Sequence, residues 1–325
     1  MRTIEILNML IVDFDKIKCL NISPATCVEW IKESFSIKKD SQLPPKCSIH
    51  PEGLDFYTSM PCLLPKEYDR YCLKLVHRIS GATPALGSDI LVYEASSGEL
   101  LALMDCDWIT AMRTGAVATL TAQTLRRSGE VTYSFIGLGN TARATLACLL
   151  DSEKETLHNV VLEEYKGYSK DFIKRFECFD NVRFTVMGSA RDAIRESDVI
   201  YSCVTQADEL ICDDLDCFRP GCLVIPVHTR GFQNCDAMFD KVFADDTAHV
   251  REFKYFDKFR RFAELPDVLS KEKEGRSDDY ERILSYNVGI ALHDALFASK
   301  ILDIVAHKGD AVRFDARKPY DKFWV

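Results

Sequence analysis

The sequence lacks the long apolar runs and the leader pattern that mark membrane and secreted proteins. No segment approaches the roughly 20 consecutive apolar residues that a membrane-spanning helix requires. The start, MRTIEILNML, has no basic region followed by an apolar stretch and a small-residue cleavage site. We therefore expect a cytoplasmic protein with no membrane partner.

An excess of positive charge is also missing, since 41 Lys and Arg residues face 50 Asp and Glu residues and the formal net charge is −9. A dedicated nucleic-acid binder needs a basic surface to displace counterions from phosphates. We expect no nucleic-acid partner, and this composition favours a small metabolite as ligand.

Metal-binding and disulfide patterns are absent from the sequence as well. The chain has 13 cysteines, an odd number, and none of them forms a Cys-x-x-Cys pair. Cys212, Cys217 and Cys222 follow one another at five-residue spacing, which is not typical of a zinc site. We expect reduced thiols and no metal.

What the sequence does contain is 47% hydrophobic and 10% aromatic residues over 325 positions, a composition typical of a packed globular protein with room for two domains. Turn-forming Pro and Gly residues and changes in periodicity divide the chain into three regions. The first mixes helices with hairpin-connected strands. Its predicted elements are a helix at Pro24 to Phe35, strands at Leu54 to Thr58 and Tyr71 to His77, a hairpin from Ile90 to Met104, and a helix from an Asp107 N-cap to Leu125.

The second region alternates strands with helical stretches. This alternation predicts right-handed βαβ crossovers and hence an α/β, doubly wound parallel sheet. The predicted strands are Val131 to Ile136, Val160 to Leu162, Val182 to Val186, Val199 to Val204, Cys222 to Val227 and Lys241 to Ala244.

The third region, from Asp246 onward, is predicted to be rich in helix. A charged run at Lys271 to Asp279 favours a solvated loop, and Tyr286 to Ile304 reads as an apolar helix. The aromatic run Phe253 to Phe262 favours a packed amphipathic helix, with a pocket or dimer surface as the alternative.

The sharpest local pattern is Gly137-Leu138-Gly139-Asn140-Thr141-Ala142, between a predicted strand and the helix that it opens. Gly137 permits a tight turn, Gly139 lets backbone approach a pyrophosphate, and Ala142 allows close packing of helix on strand. The helix N-terminus would hold the pyrophosphate. A plain strand-to-helix turn is the alternative.

Other polar residues end predicted strands. Glu163 and Glu164 follow Val160 to Leu162, where a dinucleotide fold places the acid that binds the adenosine ribose. An acid there favours NAD over NADP, although the nearby Lys166 leaves NADP possible. The alternative is that the two glutamates are only a polar end of the strand. Thr205 and His228 follow two further strands and are candidate cofactor or substrate contacts.

Two cations lie in apolar surroundings, Lys74 within a predicted strand and Arg113 on a predicted helix. A buried lysine needs a carboxylate or a cavity, and a guanidinium fork suits a carboxylate ligand. Physical reasoning leaves each residue open between a structural ion pair and a ligand contact.

The pattern Leu103-Met104-Asp105, Ile109-Thr110 and Arg113-Thr114-Gly115-Ala116-Val117, followed by the glycine turn, resembles the ornithine cyclodeaminase and mu-crystallin family. The resemblance runs from about Lys46 to Asp294. It implies a homodimer in which residues 1–125 and 290–325 form an α+β substrate-binding and dimerisation domain. Residues 126–289 would form a Rossmann-type NAD(P)-binding domain. Family members oxidise or reduce the carbon–nitrogen bond of amino or imino acids.

Residue by residue, the resemblance implies that Arg113 binds the substrate carboxylate and Lys74 hydrogen-bonds the same end of the substrate. It also implies that the cofactor is bound by the following residues: Gly137, Gly139, Asn140, Thr141, Ala142, Glu163 or Glu164, Thr205 and Asn287.

Two departures from the family pattern bear on the reaction. Lys46 stands where family members carry a second substrate-binding arginine, so the charge is kept and the fork is lost. His228 and Thr229 stand where cyclodeaminases carry a Gly-Asp pair. The leading hypothesis is therefore an NAD-dependent amino-acid dehydrogenase or imine reductase with His228 moving the proton. The alternatives are an ornithine cyclodeaminase and a non-catalytic NAD(P)H-regulated binder.

Overall fold

The computed structural model describes residues 7–205, 207–308 and 312–316. The ends of the predicted first domain, residues 1–6 and 317–325, lie outside the described residues. The strands are β1 (Leu7–Val12), β2 (Cys47–Ile49), β3 (Phe56–Leu63), β4 (Arg70–Arg78), β5 (Leu86–Glu94), β6 (Leu100–Asp105), β7 (Thr132–Ile136), β8 (His158–Glu163), β9 (Val182–Met187), β10 (Val199–Ser202), β11 (Leu223–Pro226), β12 (Lys241–Ala244), β13 (Ala263–Glu264), β14 (Ile283–Tyr286) and β15 (Val312–Ala316).

The α-helices follow the same chain order, with short 3₁₀ turns between some of them. They are α1 (Phe14–Cys19), α2 (Pro24–Ser36), α3 (Asp107–Leu125), α4 (Asn140–Ser152), α5 (Tyr168–Arg175), α6 (Ala190–Arg195), α7 (Thr247–Val250), α8 (Leu265–Leu269) and α9 (Ala291–Lys308). Among the helices of the described residues, none is long and apolar enough to cross a membrane.

The chain divides into two compact units. The first comprises residues 1–22, 37–110 and 291–325, and the second comprises residues 23–36 and 111–290. This division differs in detail from the expected boundaries at 125/126 and 289/290, because the break falls within α3 and because α2 joins the second unit, where it packs on α4.

The first unit is built on a seven-stranded sheet with the order β15-β1-β6-β5-β4-β3-β2. Strands β2 to β6 are antiparallel neighbours, as the predicted hairpins require. Side chains alternate along β4, so that Cys72 and Lys74 are buried while Leu73 and Leu75 face the other way. Helix α9 packs on β3, β4 and β5. The α+β character of this unit agrees with expectation.

The second unit contains an eight-stranded parallel sheet with the order β13-β12-β14-β11-β10-β7-β8-β9. The chain runs outward from β7 to β9 and then returns to β10 on the other side of β7. This reversal is the switch point of a Rossmann-type doubly wound sheet. Strands β10, β11, β12 and β14 are buried at every position, because helices and loops cover both faces.

The third predicted region differs most from the structure. Residues 246–290 contain only the short helices α7 and α8, so helix in the third region is concentrated in α9, which overlaps the helix expected at Tyr286 to Ile304. Tyr286 ends the buried strand β14 rather than beginning a helix, and helix α9 begins at Ala291. The run Phe253 to Phe262 forms no amphipathic helix either. Its phenylalanines cluster instead around Tyr286, and Phe253 lies 5.1 Å from that ring, centroid to centroid.

Candidate functional site

The predicted glycine turn joins β7 to α4. Gly137 has φ +81°, and a Cβ there would lie 2.8 Å from the backbone nitrogen of Val204, so both the conformation and the contact demand glycine. Gly139 is the N-cap of α4, and a Cβ there would meet nothing within 4 Å. Ala142 is fully buried on the inner side of α4. The turn therefore packs tightly on one side and leaves open space on the other.

That open space belongs to a cavity of about 860 Å³ at the carboxyl ends of β7, β8 and β10. Five predicted cofactor residues line it together: Gly137, Gly139, Asn140, Glu163 and Thr205. Arg143, Tyr165, Tyr168 and Asp171 line it as well, although sequence reasoning did not select them. The cavity thus lies at the switch point where open α/β sheets bind ligands.

The two glutamates at the end of β8 have different surroundings. Glu163 lines the cavity, and its carboxylate accepts hydrogen bonds from the backbone N–H groups of Gly137 and Ala190. Burial raises its pKa, and those two hydrogen bonds oppose the rise. Glu164 is used locally, since its carboxylate accepts hydrogen bonds from the backbone N–H of Gly167 at 2.5 Å and from the Ser169 hydroxyl. The structure therefore separates two residues that the sequence left equivalent.

Asn287 lies directly after β14, and its backbone N–H donates to the carbonyl oxygen of Pro226 at 3.0 Å. Its side chain is 1% exposed, yet neither amide atom has a hydrogen-bond partner among the described residues. A buried amide without partners is costly. It marks a position where a ligand with both donor and acceptor groups, such as a carboxamide, would fit.

Lys74 is buried on β4, and its ammonium has two partners in the first unit. Nζ lies 2.7 Å from Oδ1 of Asp294 on α9 and donates to the Thr110 hydroxyl at 2.6 Å. Both members of the ion pair are almost completely buried. One of the three N–H donors of this ammonium thus has no partner among the described residues.

Arg113 lies on the part of α3 that belongs to the second unit and is 7% exposed. Its guanidinium occupies the space beside Gly289, where a Cβ would lie 1.8 Å from one terminal nitrogen. The backbone N–H of Gly289 donates to the Asp245 carboxylate at the end of β12. Gly289 has φ +83°, so glycine is required there both for the turn and for the guanidinium.

His228 follows β11, and its Nε2 lies 2.6 Å from the hydroxyl of Ser202, at the end of the neighbouring strand β10. Burial lowers the pKa of His228 to about 4, so the imidazole is neutral at pH 7. His228 does not line the 860 Å³ cavity described above. Lys46 is half-buried and directly precedes the edge strand β2 of the first unit.

Sequence reasoning missed several partners of these residues, above all Asp294, Thr110 and Ser202. Each is distant in the sequence from the residue that it contacts, so no local pattern could identify it. Among the described residues, no group of three or more His, Cys, Asp or Glu side chains could hold a metal.

The residues around the glycine turn fit a nicotinamide dinucleotide. The first turn of α4 has backbone N–H groups that the helix cannot satisfy and that suit a pyrophosphate. The space before Gly139 has room for that group, and Glu163 contributes a carboxylate to the same cavity. Asn287 offers an unpartnered amide of the kind that a nicotinamide carboxamide pairs with.

Among proteins of known sequence, the chain is 27% identical over 281 residues to nodulation efficiency protein NfeD of Rhizobium meliloti, covering 82% of this chain and 85% of that one. It is 26% identical to a Delta(1)-pyrroline-2-carboxylate reductase of Bacillus cereus, covering 70% and 73%. It is 25% identical to an N-((2S)-2-amino-2-carboxyethyl)-L-glutamate dehydrogenase of Staphylococcus aureus, covering 63% of this chain and 64% of that one.

Among solved structures, a Delta(1)-pyrroline-2-carboxylate reductase of Thermococcus litoralis in complex with NADH and L-proline matches with a TM-score of 0.83. Its identity is 22%, with coverage of 94% of this chain and 99% of that one. An archaeal alanine dehydrogenase dimer with bound NAD matches with a TM-score of 0.82 at 20% identity, with coverage of 95% and 99%. These matches confirm the fold.

The ornithine cyclodeaminase/mu-crystallin family model matches residues 13–309, which is most of the chain. The resemblance predicted from the Arg113 and glycine-turn motifs is confirmed, and this chain belongs to the ornithine cyclodeaminase/mu-crystallin family.

Proposed function

We propose that this chain is an NAD-dependent oxidoreductase that acts on the carbon–nitrogen bond of a small amino or imino acid. The observation that carries the proposal is the cavity that unites Gly137, Gly139, Asn140, Glu163 and Thr205 at the switch point of the parallel sheet. The names of the relatives, which include pyrroline-2-carboxylate reductases and a dehydrogenase of a substituted amino acid, support this reaction class.

In the reductive direction, the imine carbon gains a hydride and the nitrogen gains a proton, which yields an amine. A bound nicotinamide dinucleotide supplies the hydride and accepts it in reverse. The chain's own residues bind and orient the substrate so that its α-carbon is held in one position.

Arg113 is the proposed partner of the substrate carboxylate, with Lys46 as a second cation. The guanidinium fork can bind a carboxylate through two parallel hydrogen bonds, and Gly289 leaves room for it. Lys74 is proposed to orient the substrate through its remaining N–H donor, while Asp294 and Thr110 hold the ammonium in place.

The pKa of His228, lowered by burial to about 4, shapes the role that we propose for it. At neutral pH such an imidazole is in the neutral form, with a nitrogen lone pair available to accept a proton, and its low pKa makes it a weak base that releases the proton again easily. We propose that His228 accepts the proton in amine oxidation and that the Ser202 hydroxyl fixes the orientation of the ring. This role replaces that of the aspartate found in cyclodeaminases.

NAD is the proposed cofactor rather than NADP. The Glu163 carboxylate lies in the cavity, where it would repel a 2′-phosphate. The Nζ of Lys166, the cation that left NADP open, lies 5.0 Å from the centroid of the Tyr165 ring. Its pKa is raised by a hydrogen bond with Tyr165, so this ammonium is already engaged.

We also propose that the first unit mediates homodimerisation through the face of its sheet opposite α9. Apolar side chains on that face are exposed in six of the seven strands: Ile11, Ile49, Tyr57, Leu75, Leu103, Val312 and Phe314. A face of seven strands is roughly 30 Å wide, which is enough for a standard protein interface. A second copy presents the same apolar surface and is the proposed occupant.

All thirteen cysteines are free thiols, which supports a cytoplasmic location.

The test of function is to follow NADH consumption with a panel of cyclic imino acids and of keto acids with amines. The reverse reaction uses NAD with L-proline, L-alanine, L-lysine and L-ornithine. We expect turnover with at least one carboxylate-bearing imine or amine, and its loss in Arg113→Ala. Release of ammonia and proline from L-ornithine would identify a cyclodeaminase instead. Tight NADH binding without turnover would identify a binding protein.

A further inference from the structure

The loop between β8 and α5 presents two tyrosines at the cavity. The backbone N–H of Tyr168 donates to the carbonyl oxygen of Tyr165 at 3.0 Å, which closes a four-residue turn. Both central residues, Lys166 and Gly167, have positive φ, at 52° and 81°. Such a turn brings its first and last residues together, and the two tyrosine rings lie 6.1 Å apart, centroid to centroid.

Glu164 stabilises this turn. Its carboxylate accepts the backbone N–H of Gly167 from within the turn and the hydroxyl of Ser169 from the first turn of α5. These bonds lower the pKa of Glu164, so it stays ionised near neutral pH. A left-handed conformation at Lys166 costs free energy in a non-glycine residue, and these contacts help to hold it.

Both tyrosine side chains are large and well exposed, at 53% and 50%. Both line the cavity together with Glu163 and the glycine turn. They follow Glu163, the acid proposed to bind the ribose, within five positions in the chain. A flat aromatic surface in that position suits a heteroaromatic base, because every nucleobase has a π-face to stack.

We propose that Tyr165 and Tyr168 form an adenine-stacking subsite and that Glu164 acts as a positioning residue for it. This inference rests on the proposed cofactor and extends it from the reactive half of the dinucleotide to the adenosine half. Glu163 would accept hydrogen bonds from the ribose hydroxyls while the two rings stack on the base. Glu164 would contribute indirectly, by stabilising the turn that carries the rings.

The experiment compares two ligands by titration with wild-type chain and variants. NADH contains the adenosine half, and reduced nicotinamide mononucleotide has the same reactive ring without it. For Tyr165→Ala/Tyr168→Ala we expect the Kd for NADH to rise about tenfold or more, because the base loses its aromatic stacking partners. The Kd for the mononucleotide stays unchanged. Tyr165→Phe/Tyr168→Phe keeps both rings and should bind NADH like wild type.

Tyr280→Ala is the matched control, because this tyrosine is 78% exposed in the same unit and does not line the cavity. Glu164→Gln should weaken NADH binding less than the double alanine variant and leave the mononucleotide unaffected. An unchanged Kd for NADH in the double alanine variant, or equal weakening of both ligands, would overturn the subsite alone. If wild-type chain bound no NADH, the proposed cofactor and the subsite would fail together.

Discussion

At the scale of single residues, two glycines that are two positions apart in the chain meet opposite structural demands. Gly137 is fixed by its positive φ and by contact with Val204, whereas Gly139 has an ordinary φ and open space before it. The first glycine is required by the fold. The second is required only if a ligand occupies the space.

These glycines give a matched pair of substitutions. Gly137→Ala should lower the free energy of unfolding by about 1–3 kcal/mol, as a strained backbone and a 2.8 Å contact require. Gly139→Ala should melt like wild type and bind NADH at least about tenfold more weakly, because its Cβ fills the space of the pyrophosphate. Thermal melts and NADH titrations check both. Normal NADH binding by Gly139→Ala would contradict the cofactor placement.

Two titratable residues, the half-buried His228 and the buried Asp236, should change stability with pH in opposite directions. Burial lowers the pKa of His228 to about 4, below its usual 6.5, so its contribution to stability is present above 6.5 and lost as pH falls through 4. Burial raises the pKa of Asp236 from 3.8 to about 6, although the Tyr286 hydroxyl donates to it at 2.7 Å. Its contribution is present below 3.8 and lost as pH rises through 6.

We therefore expect the free energy of unfolding of His228→Gln to fall less than that of wild type between pH 7 and pH 4. The two decreases should differ by up to about 3 kcal/mol. Asp236→Asn should lose more stability than wild type over the same interval. Urea unfolding at several pH values measures both differences. Parallel pH profiles for wild type and His228→Gln would show that this imidazole titrates normally.

The sequence predicted that the glycine turn joins a strand to a helix and that Glu163 and Thr205 lie at or just after the ends of two strands, because each of these expectations depends only on a short local pattern. It could not choose between Glu163 and Glu164, since their difference comes from a turn that folds back on one of them. It likewise could not identify Asp294 as the partner of Lys74, because these residues are far apart in the chain and meet only when α9 packs on β4.

At the scale of elements, the contact between β4 and α9 depends on a buried charge pair. Lys74 and Asp294 are 1% and 0% exposed, so removing one partner leaves an uncompensated charge in the core of the first unit. On the same helix, Asp303 pairs with Arg70 at 3.4 Å but is 56% exposed. The two pairs differ chiefly in burial.

Asp294→Asn should therefore lower the free energy of unfolding by about 3 kcal/mol or more. Asp303→Asn should change it by less than about 1 kcal/mol, as exposed pairs do. Chemical denaturation of the two variants checks the difference. Similar small losses in both would mean that the buried pair contributes little to the packing of α9.

Strand β14 shows why the third region was harder to predict than the second. Its four residues, Ile283–Tyr286, form a short apolar run that is buried at every position. Periodicity cannot distinguish such a run from part of a helix, and the following apolar segment made a helix the natural interpretation. The strand in fact lies between β11 and β12 in the sheet. The α/β alternation before it, which repeats several times, was predicted correctly.

At the scale of the whole molecule, the exposed apolar face of the seven-stranded sheet bears on assembly. Leu103→Asp places a charge on that face, at a side chain that is 36% exposed and so has room for it. We expect this variant to fold and to run as a monomer in size-exclusion chromatography with light scattering. Leu157→Asp, at an exposed leucine of the second unit, should stay dimeric. A monomeric wild-type protein would contradict the proposed interface.

The central claim is that a nicotinamide dinucleotide binds across the turn from β7 to α4. Its most direct test is the electron density of the chain crystallised with NADH. The account predicts density for the pyrophosphate beside Gly139 and the first turn of α4, with the ribose hydroxyls within hydrogen-bond distance of Glu163. Density for NADH at any other place, with the Gly139 turn facing only solvent, would contradict it.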